Sequence, residues 1–319
     1  MKIKYSIIIP HKNIPDLLKR CLHSIPNRDD LEVIIVDDNS DIDYVDFEHF
    51  PGSERSDTTI IFDKSGKGAG HARNLGLENA HGEKLIFADA DDYFNFCLNK
   101  ILDIYKDDDS DIIFFKASSQ DSDTYVRANR DETINYFVDQ YSCGNMIYEQ
   151  YLRYEFGMPW CKIVNRQMVR KYNITFEETP FHNDTRFGYL IGYFAKSIKV
   201  DLHALYCVTD RQNSIIKNYD RSKAMIRIAV FARKEAFLRK HNVSFNDWFQ
   251  YHIITLADLK EHAQNIYDKG LELASRYGLE KNEIDGRVDA LIEKQRKTER
   301  HTKIYQNITK FFGFEIRKV

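Results

Sequence analysis

The sequence predicts an α/β fold in which a mostly parallel sheet carries helices on both faces and is followed by a helical C-terminal region. The first observation is a set of near-continuous apolar runs, at residues 4–10, 31–36 and 83–88, which are typical of strands buried on both sides of a sheet. The second is the segment 15–25, whose apolar residues recur at spacings of three and four and so predict a helix. A strand, a helix and a strand in this order form the unit from which parallel sheets are built.

The remaining elements of the N-terminal part follow from the same two periodicities. We predict, in chain order, strand 58–62, helix 72–80, helix 94–105, strand 111–116, helix 133–154 with an interruption at 143–144, helix 167–172, helix 187–194, and short strands 198–200 and 204–208. Residues 117–131 are rich in Ser, Asp and Asn, and they predict a loop or a poorly paired hairpin.

The composition changes near residue 216, where charged amphipathic helices replace the strand patterns. The predicted helices beyond this point are residues 222–240, residues 246–267, and one or two within 269–297. We therefore expect an α/β domain of residues 1–215 and a helical subdomain of residues 216–319.

Composition and charge exclude several classes of protein. The chain has 319 residues, of which 43% are hydrophobic, and its formal net charge of −3 gives no reason to expect a nucleic-acid binder. Its five cysteines are scattered and include no Cys-x-x-Cys pair, which favours reduced thiols in a cytoplasmic protein over a disulfide framework or a zinc site. The first apolar run is too short for a signal peptide, and no stretch approaches the length of a membrane-spanning helix.

Two of the three apolar runs end in carboxylates. The second run leads into Asp37 and Asp38, and the third leads into Asp89, Asp91 and Asp92. Because ligands bind beyond the carboxyl ends of the strands in open parallel sheets, these acids are expected to face one crevice. Carboxylate oxygens are the ligands that Mg²⁺ and Mn²⁺ prefer, often together with a substrate phosphate. The alternative is a solvated acidic turn that caps a following helix.

A glycine-rich loop precedes the predicted helix at 72–80. Gly66, Gly68 and Gly70 permit a close backbone approach or a positive φ, and Lys67 and Arg73 add cationic partners for an anion. Such a loop at a helix start can bind phosphate through its N–H groups, which makes Gly70 a candidate ligand-binding position. The segment matches neither a P-loop nor a dinucleotide-binding fingerprint, and a flexible loop without a ligand is the alternative.

The strand ends and the loop form an ordered set of motifs. Pro-His-Lys-Asn at 10–13 ends the first strand, Asp-Asp-Asn-Ser-Asp at 37–41 ends the second, Ala-Arg-Asn-x-Gly lies at 72–76, and Asp-Ala-Asp-Asp lies at 89–92. Pro-Trp-Cys-Lys follows at 159–162. The set resembles a family-2 glycosyltransferase with the GT-A fold, of the type that builds bacterial cell-surface polysaccharides. The family's corresponding segment is Pro-Trp-Asn-Lys, so Cys161 stands in place of its Asn. The resemblance covers roughly the first two-thirds of the chain.

The resemblance implies a Rossmann-like sheet and an inverting transfer of a sugar from a nucleoside diphosphate, usually UDP, to the hydroxyl of a glycan or lipid-linked acceptor. The family's Asp-Asp after the second strand contacts the nucleobase, which assigns that role to Asp38 with Asp37 beside it. Pro10 and Asn13 would line the same pocket, and Arg73 would lie near the uracil or the diphosphate.

The resemblance also implies the metal and base positions. Asp89 and Asp91 match the Asp-x-Asp motif, with Asp91 as the preferred Mn²⁺ or Mg²⁺ ligand and Asp89 nearer the ribose or the metal shell. Asp92 is a second candidate ligand. The catalytic base is implied at Asp184, where the family usually has Glu-Asp at a helix start and this chain has Asn183 before the Asp. A helix N-cap is the alternative role for Asp184.

Several positions remain open between two roles. Trp160 stacks on a sugar or fills the core, and His182 contacts a ligand or is a surface histidine. The segment from Leu205-Tyr206 through Arg211 and Ser214 resembles the one that closes the family's catalytic domain. The basic, aromatic segment 302–319 rests on an anionic membrane surface or belongs to a last helix that docks on its own domain. We expect a cytoplasmic enzyme, with a peripheral contact at the inner face of the cell membrane and the oligomeric state left open.

Two other functions stay open on the sequence alone. A catalytically silent nucleotide-sugar-binding or scaffold protein would keep the fold, but the intact acids argue against it. A sugar-1-phosphate nucleotidyltransferase on a related sheet would need a glycine-rich loop directly after the first strand, where His11, Lys12 and Asn13 supply none.

Overall fold

The computed structural model describes residues 2–211, 223–243 and 250–311, with side chains up to residue 298. These residues belong to two compact units, Met1–Asn218 and Tyr219–Val319. The division lies close to the boundary that the sequence predicts between residues 215 and 216.

The first unit is built on a sheet of eight strands among the described residues. The strands are β1 (Tyr5–His11), β2 (Leu31–Asp38), β3 (Thr58–Asp63), β4 (Lys84–Phe87), β5 (Tyr93–Phe94), β6 (Ile112–Asp121), β7 (Lys162–Asn165) and β8 (Ile198–Asp210). Their order across the sheet is β3-β2-β1-β4-β7-β6-β8-β5.

The part of the sheet formed by β1 to β4 is parallel. β1 pairs with β2 and β4, and β2 pairs with β3, in a register that sets His11 beside Asp37. Every residue of β1 is buried, as expected for a strand covered on both faces. The segments that follow β1, β2 and β4 therefore meet at one edge of the sheet, which is the edge where ligands bind in folds of this kind.

The rest of the sheet is mixed and contains two strands that the sequence pattern did not predict. β7 lies antiparallel between β4 and β6, and β5 lies antiparallel to β8 at the sheet edge. β6 and β8 are parallel to each other. Because Tyr93 and Phe94 pair with β8, the helix predicted over 94–105 begins only at Leu98.

β6 and β8 are longer than predicted. β6 continues to Asp121, so the first part of the predicted loop 117–131 is strand, and a bridge between Gln120 and Arg127 follows it. β8 is one strand of 13 residues rather than two short ones. Its register against β6 shifts beside Phe115 and Lys116, and this irregularity divides the apolar pattern into the two runs seen in the sequence.

Helices cover the sheet and connect its strands. They are α1 (Pro15–His23), α2 (Ala69–Asn79), α3 (Leu98–Ile104), α4 (Glu132–Ser142), α5 (Tyr148–Gln150), a π-helix (Tyr151–Glu155), α6 (Arg166–Lys171) and α7 (Thr185–Phe194). The predicted helix 133–154 is thus interrupted after Ser142, next to the expected break. Gly76 lets α2 lie directly on β1, because a Cβ there would be 2.4 Å from Ile8 Cγ2.

The second unit is helical. Its helices are α8 (Ala224–Lys240), α9 (Tyr251–His262), α10 (Gln264–Ser275) and α11 (Lys281–Phe311). They share a core that includes Ile228, Leu256 and Val288. Among the described residues, no helix has the length and apolarity needed to span a bilayer. Residues 312–319 of the basic tail, and the side chains of the rest of it, lie outside the part of the chain that the structure describes.

Candidate active site

The first part of the site is a buried pair of side chains at the ends of β1 and β2. His11 Nδ1 lies 2.8 Å from Asp37 Oδ1, and His11 Nε2 accepts the N–H of Ile14 at 3.2 Å, so Nδ1 carries the ring proton. Asp37 also accepts the N–H and the hydroxyl of Ser40. Burial acts to raise the pKa of Asp37, but these hydrogen bonds outweigh it and hold the pKa below its usual range. The carboxylate of Asp37 thus joins the two strand ends.

Asp38 faces the glycine-rich loop. Its Oδ1 accepts the N–H of Gly68 at 2.9 Å, and its Oδ2 lies 3.3 Å from Lys12 Nζ. Gly68 has a φ of 94°, a conformation that side chains rarely allow, and this directs its N–H toward the carboxylate. The loop is therefore ordered by Asp38, next to where the resemblance places the nucleobase.

Pro10 and Asn13 lie on either side of the same strand end. Pro10 is a buried residue of β1 opposite Val36. Asn13 has a left-handed φ of 56°, and its Oδ1 accepts the N–H of Asp41 at 2.8 Å. These contacts connect the loop after β1 with the loop after β2, so the residues predicted to surround a base are brought together at one edge.

Gly70 lies in the first turn of α2 and permits a close approach. A Cβ at this position would be 2.0 Å from the carbonyl oxygen of Glu177 and 3.0 Å from Asn183 Cβ. The glycine thus packs the start of α2 against the segment that leads to Asp184.

Arg73 is the central cation of the site. One guanidinium nitrogen, Nη2, donates to Asp89 Oδ1 at 2.6 Å, and the other, Nη1, donates to Asn183 Oδ1 at 2.8 Å. The guanidinium also lies over the ring of Phe176, 5.4 Å from its centroid. Its buried Nε finds no hydrogen-bond partner among the described residues. A buried donor without a partner is costly, so this N–H remains available to an acceptor that a ligand would bring.

The acidic turn after β4 is held in place by hydrogen bonds to its backbone. The hydroxyl of Tyr206 accepts the N–H of Asp89 at 2.8 Å, and the carbonyl of Asp91 accepts from Arg20 at 2.5 Å and from the Thr209 hydroxyl at 2.8 Å. α1 and β8 thus fix the turn from two sides. Arg20 was not singled out from the sequence, whereas Tyr206 and Thr209 belong to the segment that resembles the close of the family's catalytic domain.

The carboxylate of Asp92 is hydrogen-bonded to Thr209 of β8. Its Oδ1 accepts the N–H of Thr209 at 2.7 Å and lies 3.1 Å from the hydroxyl oxygen of the same residue. Burial, followed by the charges of Asp91 and Asp89, raises the pKa of Asp92 well above its usual range. These contacts give Asp92 a part in anchoring the turn to β8.

Asp91 pairs with an arginine that follows β8. Its Oδ2 lies 2.6 Å from Arg211 Nη2, and both side chains are partly exposed. Burial and the nearby charge of Asp89 raise the pKa of Asp91, whereas Arg211 acts to lower it. Two carboxylates that repel each other on one turn favour a cation between them, and their oxygens fit the donor set of Mg²⁺ or Mn²⁺. Among the described residues, no group of three or more His, Cys, Asp or Glu side chains forms a complete metal cage.

Asp184 stands at the N-cap position of α7 without capping the helix through its side chain. Burial raises the pKa of Asp184 above its usual range, and the charge of Asp89 adds to this rise, whereas Arg73 and Lys162 act to lower it. An N-cap role would require a hydrogen bond from the backbone of α7 to the Asp184 side chain, and this hydrogen bond is absent. A half-buried carboxylate with a raised pKa, next to other charged groups, is typical of a functional residue.

The position of Asp184 is fixed by the residues around it. Phe187 of α7 is fully buried and stacks on Phe176 with ring centroids 4.1 Å apart. Asn183 occupies the place of the family's Glu and binds Arg73 as a neutral acceptor. Asn in place of Glu therefore leaves a neutral hydrogen-bond acceptor for Arg73 and removes one negative charge beside Asp184.

The structure places two of the residues whose roles the sequence left open. Trp160 is 4% exposed and lies between Phe156 and Tyr206, so it fills the core. His182 is half-buried with a left-handed φ of 56°. Ser214 lies outside the described residues.

Known proteins resemble the chain in sequence. The model of the family described as Glycosyl transferase family 2 matches residues 6–173. EpsH of Bacillus subtilis (strain 168), whose name describes a glycosyltransferase, is 25% identical over 249 residues, which cover 74% of this chain and 70% of EpsH.

Solved structures resemble the fold. A crystal structure of S. aureus TarS in complex with UDP-GlcNAc superposes with a TM-score of 0.59 at 17% identity and covers 93% of this chain and 92% of that chain. The mannosyltransferase PcManGT from Pyrobaculum calidifontis, in complex with GDP-Man and Mn²⁺, superposes with a TM-score of 0.53 at 14% identity and covers 99% of this chain and 89% of that chain. These likenesses confirm the predicted GT-A fold with its helical C-terminal region.

Proposed function

The chain belongs to glycosyl transferase family 2, and on this premise we propose that it is a metal-dependent, inverting enzyme that moves a sugar from a UDP-sugar to a hydroxyl of a glycan or lipid-linked acceptor. Membership of the family makes it a glycosyltransferase in polysaccharide synthesis; the donor, the metal, the stereochemistry and the acceptor are the proposal.

The observation that carries the proposal is the double contact of Arg73. Its guanidinium binds Asp89 on one side and Asn183, the neighbour of Asp184, on the other. One rigid, charged group thus connects the acids proposed for the donor with the proposed base. An inverting transfer needs the base held in a fixed relation to the donor, because the acceptor hydroxyl attacks the sugar from the face opposite the leaving diphosphate, and Arg73 supplies such a link.

Donor binding is assigned to the edge formed by the ends of β1, β2 and β4. Asp38, with Asn13 and Pro10, would receive the base, and Asp37 would keep these loops in place through His11 and Ser40. A Mn²⁺ or Mg²⁺ ion would be held by Asp91 with Asp89, would complete its ligand set with diphosphate and water oxygens, and would supply Lewis-acid stabilisation of the leaving group. The free Nε donor of Arg73 is available for the same anion.

Asp184 is assigned as the base. Its raised pKa makes the ionised form a better proton acceptor than an ordinary aspartate, because basicity increases with pKa. The carboxylate carries no capping hydrogen bond to α7, so its lone pairs remain available for the proton of the acceptor hydroxyl.

The structural relatives support a nucleotide-sugar donor and a divalent ion. One of them binds UDP-GlcNAc, and another binds GDP-Man with Mn²⁺. The acceptor of this chain and any contact of segment 302–319 with a membrane stay predictions.

The first test is calorimetric titration of the purified protein with UDP, with and without Mn²⁺, repeated with Asp91→Ala. We expect UDP binding that requires the metal and is lost in the variant. UDP binding that requires neither the metal nor the Asp91 carboxylate would contradict the metal assignment. If another nucleotide binds in place of UDP, the proposed donor changes. If no nucleotide binds, a scaffold protein is favoured.

A further inference from the structure

Lys162 is a buried lysine that the assignments above leave without a role. It begins β7, its side chain is 1% exposed, and its Nζ donates to the carbonyl oxygens of Phe156 and Met158, each at 2.7 Å. The ammonium also lies 4.6 Å from the ring centroid of Phe156 and 5.4 Å from that of Phe114. Carbonyl dipoles and aromatic rings therefore receive the charge.

Burial of a lysine side chain without an ionic partner is energetically unfavourable. Transfer of a charge into the interior costs free energy unless a partner compensates it, and among the described residues no carboxylate lies within ion-pair distance of Lys162 Nζ. The burial lowers the pKa of Lys162 to about 7. A methionine would fill the same space without this cost, so the charge itself calls for a function.

The carbonyls that Lys162 binds belong to the segment that supports the start of α7. Gly157 lies between them, and a Cβ on Gly188 of α7 would be 2.7 Å from Gly157 Cα. A Cβ on Gly157 would in turn be 3.7 Å from Thr185 Cα, the first residue of α7. The ammonium thus fastens the backbone against which the first turn of the helix rests, and Asp184 precedes that turn.

Lys162 also acts on Asp184 through its charge. The groups that act on the Asp184 carboxylate are Arg73 from α2, Asp89 from the turn after β4 and Lys162 from β7. Those that act on Lys162 are Asp184 itself and the adjoining Cys161. Lys162 therefore acts on the pKa of Asp184 in the direction opposite to burial and to the repulsion by Asp89.

We propose that Lys162 is a positioning residue for the catalytic base: it fixes the segment Phe156–Met158 under the first turn of α7, and its positive charge favours the ionised form of the Asp184 carboxylate. This inference rests on the proposed role of Asp184 and adds to it the group that tunes the base. It predicts that the charge of Lys162, and not only its hydrogen bonds, is needed for transfer.

The test compares Lys162→Gln, which retains hydrogen-bond donors without charge, with Lys162→Arg, which retains charge. We expect Lys162→Gln to lower kcat at neutral pH, to leave the Kd for UDP unchanged, and to move the acid limb of kcat/KM upward by about 0.5 to 1 pH unit. Lys162→Arg should move the acid limb back toward its wild-type position. An acid limb and a kcat that Lys162→Gln leaves unchanged would overturn the proposal.

Lys84 provides a matched control. It is also a buried lysine at the start of a strand, and its Nζ donates to the carbonyl oxygen of Asp108, but it is not among the groups that act on Asp184. We expect Lys84→Gln to lower the melting temperature without moving the acid limb. An equal shift of the acid limb in both variants would show a general loss of structure and would also overturn the proposal.

A second measurement needs neither activity nor a variant of Lys162. With ¹³C-labelled lysine ε-carbons, the wild-type protein should show one lysine that titrates near neutral pH, and Asp184→Asn should lower its midpoint because a neighbouring negative charge is lost. The absence of such a lysine, or a midpoint that Asp184→Asn leaves unchanged, would refute the coupling. If no UDP-sugar is turned over while the coupling is observed, the proposed donor fails and the electrostatic coupling between Lys162 and Asp184 stands.

Discussion

At the scale of single residues, Arg73 connects parts of the site that lie far apart in the sequence. Arg73 binds Asp89, 16 positions away, and Asn183, 110 positions away. Lysine could not replace it, because only the planar guanidinium presents several donors in a fixed fork. The raised pKa of Asp91 and the raised pKa of Asp184 both include a contribution from Asp89. The acids of this site are therefore electrostatically coupled.

Asp184→Asn tests the base at this scale. Because the variant keeps the side-chain shape but cannot accept a proton, we expect kcat to fall by about 10²- to 10⁴-fold while the Kd for UDP stays the same. Since burial raises the pKa of Asp184, wild-type kcat/KM should decline with falling pH already above the usual range of an aspartate. Steady-state assays across pH and calorimetry with UDP measure both effects.

The same substitution has a predictable effect on stability. A carboxyl whose pKa is higher in the folded than in the unfolded state favours folding when protonated, so its ionised form destabilises the protein at neutral pH. Asp184→Asn should therefore raise the melting temperature at neutral pH, and the gain should shrink in acid. A variant that loses activity together with stability would indicate a structural role and contradict the assignment.

Cys161 departs from the family's Asn at a strained position. It is buried and has a φ of 57°, a region that costs an ordinary side chain about 1–2 kcal/mol and that Asn adopts more readily. We expect Cys161→Asn to stabilise the protein by about 1 kcal/mol, with its amide donating to the Lys116 carbonyl that the thiol now contacts at 3.7 Å. Urea denaturation measures the change.

Cys161→Ala is the control for this prediction. Alanine keeps the unfavourable φ and loses the packing of the sulfur, so this variant should be less stable than the wild type. If Cys161→Asn is the less stable of the two variants, the cost of burying the amide exceeds the relief of backbone strain.

The sequence identifies residues at strand ends better than the residues that hold them. Asp38, Asp89 and Asp91 could be placed at one edge because the carboxyl ends of parallel strands meet there. Arg20, which binds the carbonyl of Asp91, is 71 positions away and sits in a helix whose pattern is that of any amphipathic helix. Lys162 was part of a recognised motif, but its burial depends on tertiary contacts that spacing does not reveal.

At the scale of elements, the unpredicted strands are those defined by their partners. β7 has four residues, pairs antiparallel with strands on both sides, and is flanked by a turn and a helix start that dominate the local pattern. β8 looks like two strands because residues 201–203 break its apolar pattern where its register shifts. The parallel core, in contrast, is predictable because burial on both faces produces long apolar runs.

The contact between α7 and the π-helix gives a test at this scale. Gly192 of α7 lies so close to the π-helix that a Cβ would be 2.1 Å from the carbonyl oxygen of Arg153. Arg153 also donates to the Gly192 and Ala195 carbonyls at 2.7 and 2.8 Å, so the two elements are fixed to each other. We expect Gly192→Ala to destabilise the protein by about 1–3 kcal/mol, as measured by urea denaturation, because backbone must move.

Gly286→Ala is the matched control. Gly286 lies in α11, and an added Cβ there meets nothing within 4 Å among the described residues. The substitution should stabilise the protein by about 1 kcal/mol through helix propensity. Effects of the same sign at the two glycines would contradict the packing explanation.

At the scale of the whole molecule, every described residue assigned to the donor, the metal or the base belongs to the first unit, and the second unit has its own core. That second core contains a charged network instead of apolar residues alone. Glu235 is 3% exposed, binds Arg287 through two hydrogen bonds at 2.6 and 3.0 Å, and lies 2.6 Å from Arg239 and 2.9 Å from His252 Nε2. These contacts connect α8 to α9 and α11.

The network predicts how the second unit responds to acid. Although burial opposes it, the close contacts with His252 and Arg287 lower the pKa of Glu235 far below its usual range, so the stability it contributes is present above the pKa of an unfolded glutamate and is lost as pH falls below it. Burial also lowers the pKa of His252, so proton uptake by this ring favours unfolding as pH falls below about 6.5. Both groups act in the same direction, and calorimetric scans from pH 7 to pH 4 should show the second unit losing stability.

Glu235→Gln isolates the carboxylate from this response. At neutral pH the variant should lose about 3–5 kcal/mol, because Arg287 and Arg239 keep their charges while their buried partner loses its own. The loss between pH 5 and pH 4 should be smaller than in the wild type, because the group that titrates there is gone. Glu293→Gln removes an equally charged carboxylate from the exposed pair with Lys297 and should leave the scans unchanged. If the two variants behave alike, the network does not stabilise the second unit, and its charges are retained for another reason.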